Sequence, residues 1–317
     1  MPRIVVLDGH TLNPGDLDWS PLIALGETAI FPGTPQELIL KRAAYAEILV
    51  VNKVRLDQEI ISQLPVLQCI VISATGYDNV DVAFAKTQNI CVCNAVGYST
   101  DSVAQHVFAL LLALVHKVKE HHDSVTRGDW AASPFFSYHL QPIMELRGKN
   151  FGIYGFGKIG EKTAEIASAF GMKVLAHKRN PESDLFPDIE FVTFEELLRR
   201  SDVLSLHAPL NESNFEIFNL ENFKKMKSTA LLINTARGKL VNEDDLKLAL
   251  EQEIIAGAAL DVLHREPPSK DLPLIGTKNC IITPHLAWST REARQRLLKI
   301  VADNIEAFLR GEPENIL

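Results

Sequence analysis

The sequence predicts an α/β protein of two domains, each built on a doubly wound parallel sheet. Short β-rich runs alternate with helix-like segments over residues 1–93, and the same alternation returns from residue 150 onward. A long apolar helix lies between the two stretches and marks a crossing from one domain to the other. At 317 residues the chain is long enough for two domains, each with its own core.

Composition limits the partners that we expect. With 46% hydrophobic and 23% charged residues, the chain reads as a soluble globular protein, and its net charge of −8 disfavours nucleic acid or an anionic membrane as partner. The longest apolar run, 107–115, is far shorter than the ~20 residues that span a bilayer. The N-terminus enters a strand directly without a signal-peptide pattern, so we expect a cytoplasmic protein.

The four cysteines are Cys69, Cys91, Cys93 and Cys280, and they form no C-x-x-C pair. Most lie in apolar, strand-like runs, which predicts buried thiols rather than a disulfide framework or a zinc site. Acidic and histidine residues show no ligand spacing of the H-E-x-x-H kind, so no metal site is predicted.

The first domain contains the β-rich runs. They are Ile4–Leu7, a weaker run near Thr28–Phe31, Ile48–Val51, Cys69–Ile72 and Ile90–Cys93. The turn from Ala74 to Asp81 follows the fourth run, at the position where an open α/β sheet places its ligands. An ordinary connecting loop is the alternative.

The crossing begins at Asn94–Thr100, and a long helix is predicted from Asp101 to about His122. This helix is apolar nearly all round, so we expect burial on two sides, one of them by a second subunit. Residues 128–142 carry several aromatic side chains and two prolines, which predicts an irregular arm suited to an interface. These features predict a homodimer formed through residues 101–142.

The second sheet opens with Phe151–Tyr154 and a G-x-G-x-x-G turn at a helix start. Gly155 permits the tight turn, Gly157 lets backbone N–H groups approach a pyrophosphate, and Gly160 allows the helix to pack closely on the strand. The positive end of the helix then faces the anion. The motif predicts a dinucleotide site, although a glycine-rich turn can also merely connect elements.

Further strands and helices alternate after this turn. The helix after the turn should run to Phe170 and end at Gly171, and a capping box at Thr193 should open the next helix. A further helix is predicted over Asn242–Glu251, and a final amphipathic helix over Thr290–Arg310 should return to the first domain. The predicted strands are Lys173–His177, Val203–His207, Ala230–Asn234, Ala256–Asp261 and Cys280–Ile282.

Polar side chains follow these strands and should meet at one edge of the sheet. They are His207 with Pro209, Arg237, Asp261 and His285. Jointly they suit the reduction of a carbonyl, in which a cation orients the substrate and a protonated imidazole delivers a proton. Glu266 would hold that imidazole in the productive tautomer. Taken singly, each residue is more often structural or solvated.

Five segments occur in order along nearly the whole chain: Ala74–Asp81, Gly155–Gly160, Asn234–Gly238, Gly257–Pro267 and Thr283–His285. Through them the chain resembles the D-isomer-specific 2-hydroxyacid dehydrogenases. The resemblance implies a flavodoxin-like substrate domain, residues 1–100 plus 285–317, and an inserted Rossmann cofactor domain, residues 101–284. It also implies reversible hydride transfer between a nicotinamide and a small 2-oxo acid.

The resemblance also implies roles for individual residues. The family's catalytic arginine, glutamate and histidine fall on Arg237, Glu266 and His285. The implied substrate-binding residues are Ala74, Thr75, Gly76, Arg237, His285 and Trp288. The implied cofactor-binding residues are Thr100, Gly155, Phe156, Gly157, Lys158, Ile159, Gly160, His177, Lys178, Arg179, His207, Ala208, Pro209, Thr235, Ala236, Asp261 and His285. Backbone groups of Thr75 and Gly76 would donate to the substrate carboxylate, and Asp261 would hold the nicotinamide carboxamide.

Lys178 and Arg179 depart from the commonest family pattern. Members that use NAD generally carry an acidic residue here, at the end of the second strand, where it binds the adenosine ribose. Two cations instead offer charge-assisted donors to a 2′-phosphate, so we expect NADP(H) to be preferred over NAD(H). Solvated surface cations that tolerate either cofactor are the alternative.

The substrate is indicated by two further segments, Leu7–Leu17 and Ala287-Trp288, which resemble the glycerate dehydrogenase/hydroxypyruvate reductase branch. That branch implies reduction of hydroxypyruvate or glyoxylate to D-glycerate or glycolate. Trp288 would narrow the pocket around a small R group, or serve as a core or interface tryptophan. Two alternatives stay open: a dehydrogenase of a lactate-like or phosphorylated hydroxy acid such as phosphoglycerate, and a dinucleotide-sensing scaffold resembling the corepressors of this fold.

Overall fold

A computed structural model describes residues 1–179 and 188–317 and contains two parallel sheets. The strands are β1 Arg3–Val6, β2 Glu27–Ile30, β3 Ile48–Val51, β4 Cys69–Ile72, β5 Cys91–Cys93, β6 Asn150–Tyr154, β7 Lys173–His177, β8 Ile189–Phe191, β9 Val203–Leu206, β10 Leu231–Asn234, β11 Gly257–Leu260 and β12 Cys280–Ile282. The α-helices are α1 Gly9–Leu12, α2 Ser20–Ile23, α3 Ile39–Ala43, α4 Gln58–Ile61, α5 Val82–Thr87, α6 Thr100–His116, α7 Val118–Thr126, α8 Lys158–Ala169, α9 Phe194–Arg200, α10 Leu220–Phe223, α11 Glu243–Glu251 and α12 Arg291–Leu309. Short 3₁₀ helices cover Gln36–Leu38, Glu212–Asn214 and Gly238–Leu240.

The first compact unit, Met1–Ser99 with Trp288–Leu317, holds a parallel sheet in the order β2-β1-β3-β4-β5. This is the flavodoxin-like order, as predicted. One face of the sheet packs against apolar residues of α12, such as Leu297 and Val301, and the other packs against α3, α4 and α5. Because both faces are covered, β3 and β4 are continuous apolar runs rather than alternating ones.

The second unit, Thr100–Ala287, holds a sheet whose described strands run β12-β11-β10-β9-β6-β7-β8, all parallel. From β6 the chain first builds outward through β7 and β8, then returns to the other side of β6 with β9. The strand order therefore reverses between β6 and β9, which is the Rossmann arrangement and the point where such sheets bind dinucleotides. The predicted fold class is confirmed.

The unit boundaries fall one and three residues from the predicted ones. Residues 285–287 belong to the second unit rather than to the first. The reason is local bonding: the His285 amide donates to the Asp261 carbonyl, and the amides of Leu286 and Ala287 donate to the Asp261 carboxylate.

The long crossing helix is two helices, not one. Lys117 takes a left-handed backbone with φ of 48°, and α6 and α7 meet there at a bend of 51°. The predicted helix ran through this position because the apolar run ends at Val115, only two residues earlier. Among the described residues no single helix is long and apolar enough to cross a membrane, and only this bent pair passes such a test jointly.

The burial of the crossing helix has a different cause from the one that the sequence suggested. The apolar residues of α6, among them Val107 and Leu111, pack within their own unit against α8, β10 and β11. A second subunit is not needed to cover them. The segment that follows α7 is irregular as expected, and it exposes Phe135 and Phe136 by 71% and 93%.

Candidate active site

The three glycines of the turn between β6 and α8 differ in what surrounds them. Gly155 has φ of 94°, and a Cβ there would lie 2.4 Å from the backbone nitrogen of Ala208. A Cβ at Gly160 would lie 2.7 Å from the Gly155 carbonyl oxygen, so the helix packs too closely on the turn for a side chain. Gly157 caps α8 and has nothing within 4 Å of a Cβ position. The turn is thus tightly packed at Gly155 and Gly160, whereas the space beside Gly157, at the N-terminus of α8, is open.

The residues in and next to this turn differ in how deeply their side chains are buried. The Phe156 side chain is buried and meets Phe191 edge-on, with ring centroids 5.4 Å apart, so only its backbone can face a ligand. Lys158 is exposed and Ile159 partly exposed. Thr100, also predicted at the cofactor groove, is the first residue of α6.

The residues that are predicted to bind the adenosine ribose or its 2′-phosphate lie at the end of β7. His177 stacks on Tyr154 of β6 with ring centroids 5.8 Å apart, and its Nδ1 lies 3.1 Å from the Val192 carbonyl oxygen. Lys178 and Arg179 follow directly and are the last residues described before position 188. Both cations therefore lie just past the carboxyl end of β7, which pairs with β6. The glycine turn follows β6 at the same edge of the sheet.

His207 follows β9, beside Ala208 and the exposed Pro209. Its Nε2 lies 2.9 Å from the hydroxyl of Ser205, and burial lowers the pKa of His207 to about 3. The ring is therefore neutral at physiological pH. A neutral imidazole shapes a groove but does not supply a proton, which separates His207 from His285.

Arg237 lies in a turn that two side-chain contacts of Asn234 fix. The Asn234 amide donates to the Arg237 carbonyl, and its oxygen accepts from the Ala236 amide, at 2.9 and 3.0 Å. Gly238 then passes so close to Leu263 that a Cβ would lie 2.0 Å from the Leu263 carbonyl carbon. This close approach brings the Arg237 turn against the segment that leads to Glu266.

Two features of this edge fit a bound dinucleotide. The Thr235 hydroxyl is buried and has no hydrogen-bond partner among the described residues, and the space in front of Gly157 is open. A buried unpaired hydroxyl costs free energy, so a partner for it is expected. The backbone donors at the start of α8 would hold the pyrophosphate, and the Thr235 hydroxyl would bond a polar group of the cofactor.

Asp261, after β11, is 1% exposed and fully engaged. Its carboxylate accepts hydrogen bonds from the amides of Leu286 and Ala287 and from the Thr283 hydroxyl, at 2.6–2.9 Å. Burial opposes its ionisation, but these bonds and one from His106 hold the pKa of Asp261 below its usual value. Asp261 thus holds the His285 segment, and its role toward the nicotinamide carboxamide stays a prediction.

Two residues of α6 that the sequence did not single out support the same segment. His106 Nε2 lies 3.1 Å from the Thr283 hydroxyl oxygen, and the Ser102 hydroxyl donates to the Ala287 carbonyl at 2.5 Å. Their only signal in the sequence is that they are polar residues on the buried side of an apolar helix.

His285 and Glu266 form the most reactive arrangement of the site. Glu266 Oε1 accepts from the Leu263 amide, and Oε2 lies 2.5 Å from His285 Nδ1. The backbone of His285 is left-handed, with φ of 52°, and its amide donates to the Asp261 carbonyl. Because Nδ1 is engaged, Nε2 is the nitrogen that remains for a substrate. The Glu266 carboxylate and the His285 imidazole thus come together, and the backbone of the Arg237 turn adjoins the segment that leads to Glu266.

The remaining predicted substrate residues lie in the first unit. The Thr75 hydroxyl donates to the Ala95 carbonyl and its own carbonyl accepts from the Asn94 side chain, both at 2.8 Å. These bonds fix the turn that contains Ala74 and Gly76 against the end of β5. Trp288 packs on the core of this unit and meets Tyr98 edge-on at 6.2 Å.

The second unit also matches a known family by sequence. The model for the NAD-binding domain of D-isomer-specific 2-hydroxyacid dehydrogenases matches residues 108–287, more than half of the chain. The chain belongs to the D-isomer-specific 2-hydroxyacid dehydrogenase family. As a member it is an oxidoreductase, and its cofactor is a nicotinamide dinucleotide.

Individual relatives place it within that family. A hydroxypyruvate reductase from Blautia hydrogenotrophica is 43% identical over 99% of both chains, and a glycerate dehydrogenase from Methylorubrum extorquens is 42% identical over 90% of this chain and 89% of its own. A solved structure, an acyclic imino acid reductase in complex with NADPH and D-Arg, has a TM-score of 0.87 and 33% identity over 99% of each chain. The chain lies in the glycerate dehydrogenase/hydroxypyruvate reductase branch, as the sequence predicted.

Proposed function

We propose that this dehydrogenase reduces hydroxypyruvate and glyoxylate to D-glycerate and glycolate, reversibly. The observation that carries the proposal is the Glu266–His285 pair next to the Arg237 turn, because a small 2-oxo acid offers the carboxylate and carbonyl that these groups recognise. The two named relatives, at 43% and 42% identity, act on the same kind of substrate by name.

Each group has a defined task in this proposal. The bound dinucleotide supplies the hydride. Nε2 of His285 gives a proton to the carbonyl oxygen, and Glu266 stabilises the charged imidazole while it keeps Nδ1 occupied. Arg237 binds the carboxylate and polarises the carbonyl, a task that suits a planar guanidinium. In the first unit, the family resemblance implies that the amides of Thr75 and Gly76 bind the carboxylate and that Trp288 limits the space for the R group.

The cofactor is proposed to be NADP(H) in preference to NAD(H). Lys178 and Arg179 supply positive charge at the end of β7, where a carboxylate would repel a 2′-phosphate. The similar imino acid reductase, solved with NADPH, agrees with this preference. Replacement of both cations by alanine should reduce kcat/KM for NADPH by about 10–100-fold and leave that for NADH within about threefold. Arg199→Ala removes one positive charge from an exposed residue of α9 in the same unit and serves as the control for a general charge effect.

The experiment that tests the proposal is a kinetic panel. Purified full-length protein is assayed with NADPH and with NADH against glyoxylate, hydroxypyruvate, pyruvate and 3-phosphohydroxypyruvate. We expect the highest kcat/KM for hydroxypyruvate and glyoxylate with NADPH. A higher kcat/KM for pyruvate or 3-phosphohydroxypyruvate would identify that acid as the substrate instead. A higher kcat/KM with NADH would identify NADH as the preferred cofactor. Tight NADPH binding without any turnover would favour the scaffold function.

Two further features belong to the proposal. We propose a homodimer formed through residues 101–142, supported by the exposed aromatic side chains of its irregular part. We also propose a cytoplasmic location, supported by four cysteines that are all free thiols.

A further inference from the structure

Three of the cysteines meet on one face of the first sheet. Cys69 of β4 is the register partner of Cys91 of β5, and Cys93 lies two residues further on the same strand. Side chains two apart on a strand point to the same face. The three sulfur atoms all lie within 4.8 Å of one another, and those of Cys91 and Cys93 are 3.6 Å apart.

We propose that these three thiols form a binding site for a soft monovalent cation, Cu⁺. A metal–sulfur bond is about 2.3 Å long, so three sulfurs around one metal ion lie about 3.8–4.0 Å apart. The observed separations differ from that spacing by less than about 1 Å. Small side-chain rotations therefore convert the cluster into a three-thiolate site, and thiolates are the ligands that soft metals select.

The surroundings favour Cu⁺ over Zn²⁺. Within the parts of the chain that the structure describes, no histidine, carboxylate or further cysteine joins the three sulfurs at this spacing. Structural zinc is almost always held by four ligands, whereas Cu⁺ accepts three thiolates. Cys69 and Cys93 have no exposed surface, which leaves little room for a water molecule as the fourth zinc ligand.

An ion can reach the site through Cys91. β5 is the edge strand, and Cys91 is partly exposed. Beyond it the edge is closed, because the Leu317 amide donates to the Val92 carbonyl and Ile316 bridges to Cys93. Binding breaks the S–H bonds of the thiols that become thiolates, forms S–Cu bonds and releases protons to solvent, with no electron transferred. The affinity should therefore rise with pH.

The test is an anaerobic titration of reduced full-length protein with Cu⁺ held by a coloured Cu⁺ chelator. We expect one Cu⁺ per chain, and Cys91→Ala should weaken binding by about 100-fold. Cys280→Ala is the matched control, because Cys280 lies in β12 of the other unit, and it should bind Cu⁺ like the native protein. No stoichiometric binding, or equal loss in the two variants, would overturn the site. A Zn²⁺ affinity equal to that for Cu⁺ would overturn the choice of metal.

A second measurement on the native sequence guards against misfolding of the variants. The protein is alkylated with iodoacetamide before and after addition of one equivalent of Cu⁺, and the modified cysteines are identified by mass spectrometry. Bound Cu⁺ should protect Cys91 and leave the labelling of Cys280 unchanged. Unchanged labelling of Cys91 would refute the proposal.

Discussion

At the scale of single residues, the carboxylate of Glu266 is the group whose removal tests the proton donor most directly. In Glu266→Gln the imidazolium of His285 loses the negative charge that stabilises it. Because reduction needs the protonated ring and Glu266 holds that ring at Nδ1, kcat should drop about 10–100-fold. The check is kcat for hydroxypyruvate, measured beside the native enzyme at the same pH. An unchanged kcat would remove Glu266 from the proposed mechanism.

His285 itself is best replaced by asparagine. Its backbone is left-handed, a conformation that asparagine adopts more readily than most residues, so His285→Asn removes the proton donor with little backbone strain. We expect kcat to fall about 100–10,000-fold. NADPH affinity, measured by fluorescence titration, should fall far less than kcat, since the glycine turn is untouched. Near-native turnover would exclude His285 as the proton donor.

His207 gives a prediction about stability. Its pKa is lowered to about 3 in the folded protein, so below pH 6.5 the unfolded chain takes up a proton that the folded chain does not. Stability contributed by the neutral ring is therefore lost as the pH falls, by about 1.5 kcal/mol between pH 6.5 and 5. Urea unfolding across this range should show a flatter pH dependence for His207→Gln than for the native protein. His116→Gln, at an exposed histidine of α6, should not flatten it.

The sequence predicted the positions of some site residues better than others. His207, Arg237 and His285 follow predicted strands, and the parallel sheet alone brings the ends of its strands to one edge. Asp261 also follows a predicted strand, but nothing in the sequence indicates that its carboxylate accepts from the Leu286 amide and so supports the His285 segment. His106 could not be found, because its partners lie 155 and 177 positions away and only the folded chain brings them together.

At the scale of elements, the glycine turn offers a matched pair of variants. A methyl group at position 160 would lie 2.7 Å from the Gly155 carbonyl oxygen, so Gly160→Ala should push α8 away from β6 and lower stability by about 1–3 kcal/mol. Gly157→Ala meets nothing within 4 Å and should leave stability unchanged while it weakens NADPH binding, since the methyl group enters the space of the pyrophosphate. Thermal unfolding and cofactor titration separate the two effects. A stable Gly160→Ala with native affinity would contradict this account.

Element boundaries were predictable where a physical signal marks them. The capping box at Thr193 and Gly171 after α8 are both found where the sequence placed them. The break at Lys117 carried no such signal, because neither glycine nor proline marks it. Strand β8 was missed as well: it has three residues, pairs with β7 alone among the described strands and is half-exposed, so its apolar pattern is weak.

At the scale of the whole molecule, the alternation of strands and helices predicted two parallel sheets, and the family resemblance implied their flavodoxin-like and Rossmann arrangements. Parallel strands covered on both faces are recognisable as apolar runs, and right-handed crossovers leave few possible orders. Whether a second subunit covers an apolar helix is harder to predict from the sequence. The apolar character of α6 suggested a partner subunit, but its own unit buries that helix. The evidence for an interface lies instead in the arm after α7.

The arm is held in a fixed position while its aromatic side chains face outward. The Trp130 indole donates to the Phe136 carbonyl at 3.0 Å, and the Tyr138 hydroxyl lies 2.8 Å from that of Ser124. Phe135 and Phe136 remain 71% and 93% exposed. Exposed aromatic rings on an ordered arm are typical of a surface that a partner covers, and burying them in a second copy stabilises the pair.

The double variant Phe135→Ser, Phe136→Ser should therefore shift the protein from dimer to monomer at micromolar concentration. The measurement is sedimentation velocity over a concentration series, with native protein in parallel. Tyr45→Ser, which removes an aromatic ring that is 71% exposed in the first unit, is the matched control and should remain dimeric. Native protein that is monomeric throughout would refute the proposed dimer, and a double variant that still dimerises would place the interface elsewhere. Because the rings lie outside the proposed reaction centre, a monomeric variant that keeps its NADPH affinity would show that the arm acts in assembly alone.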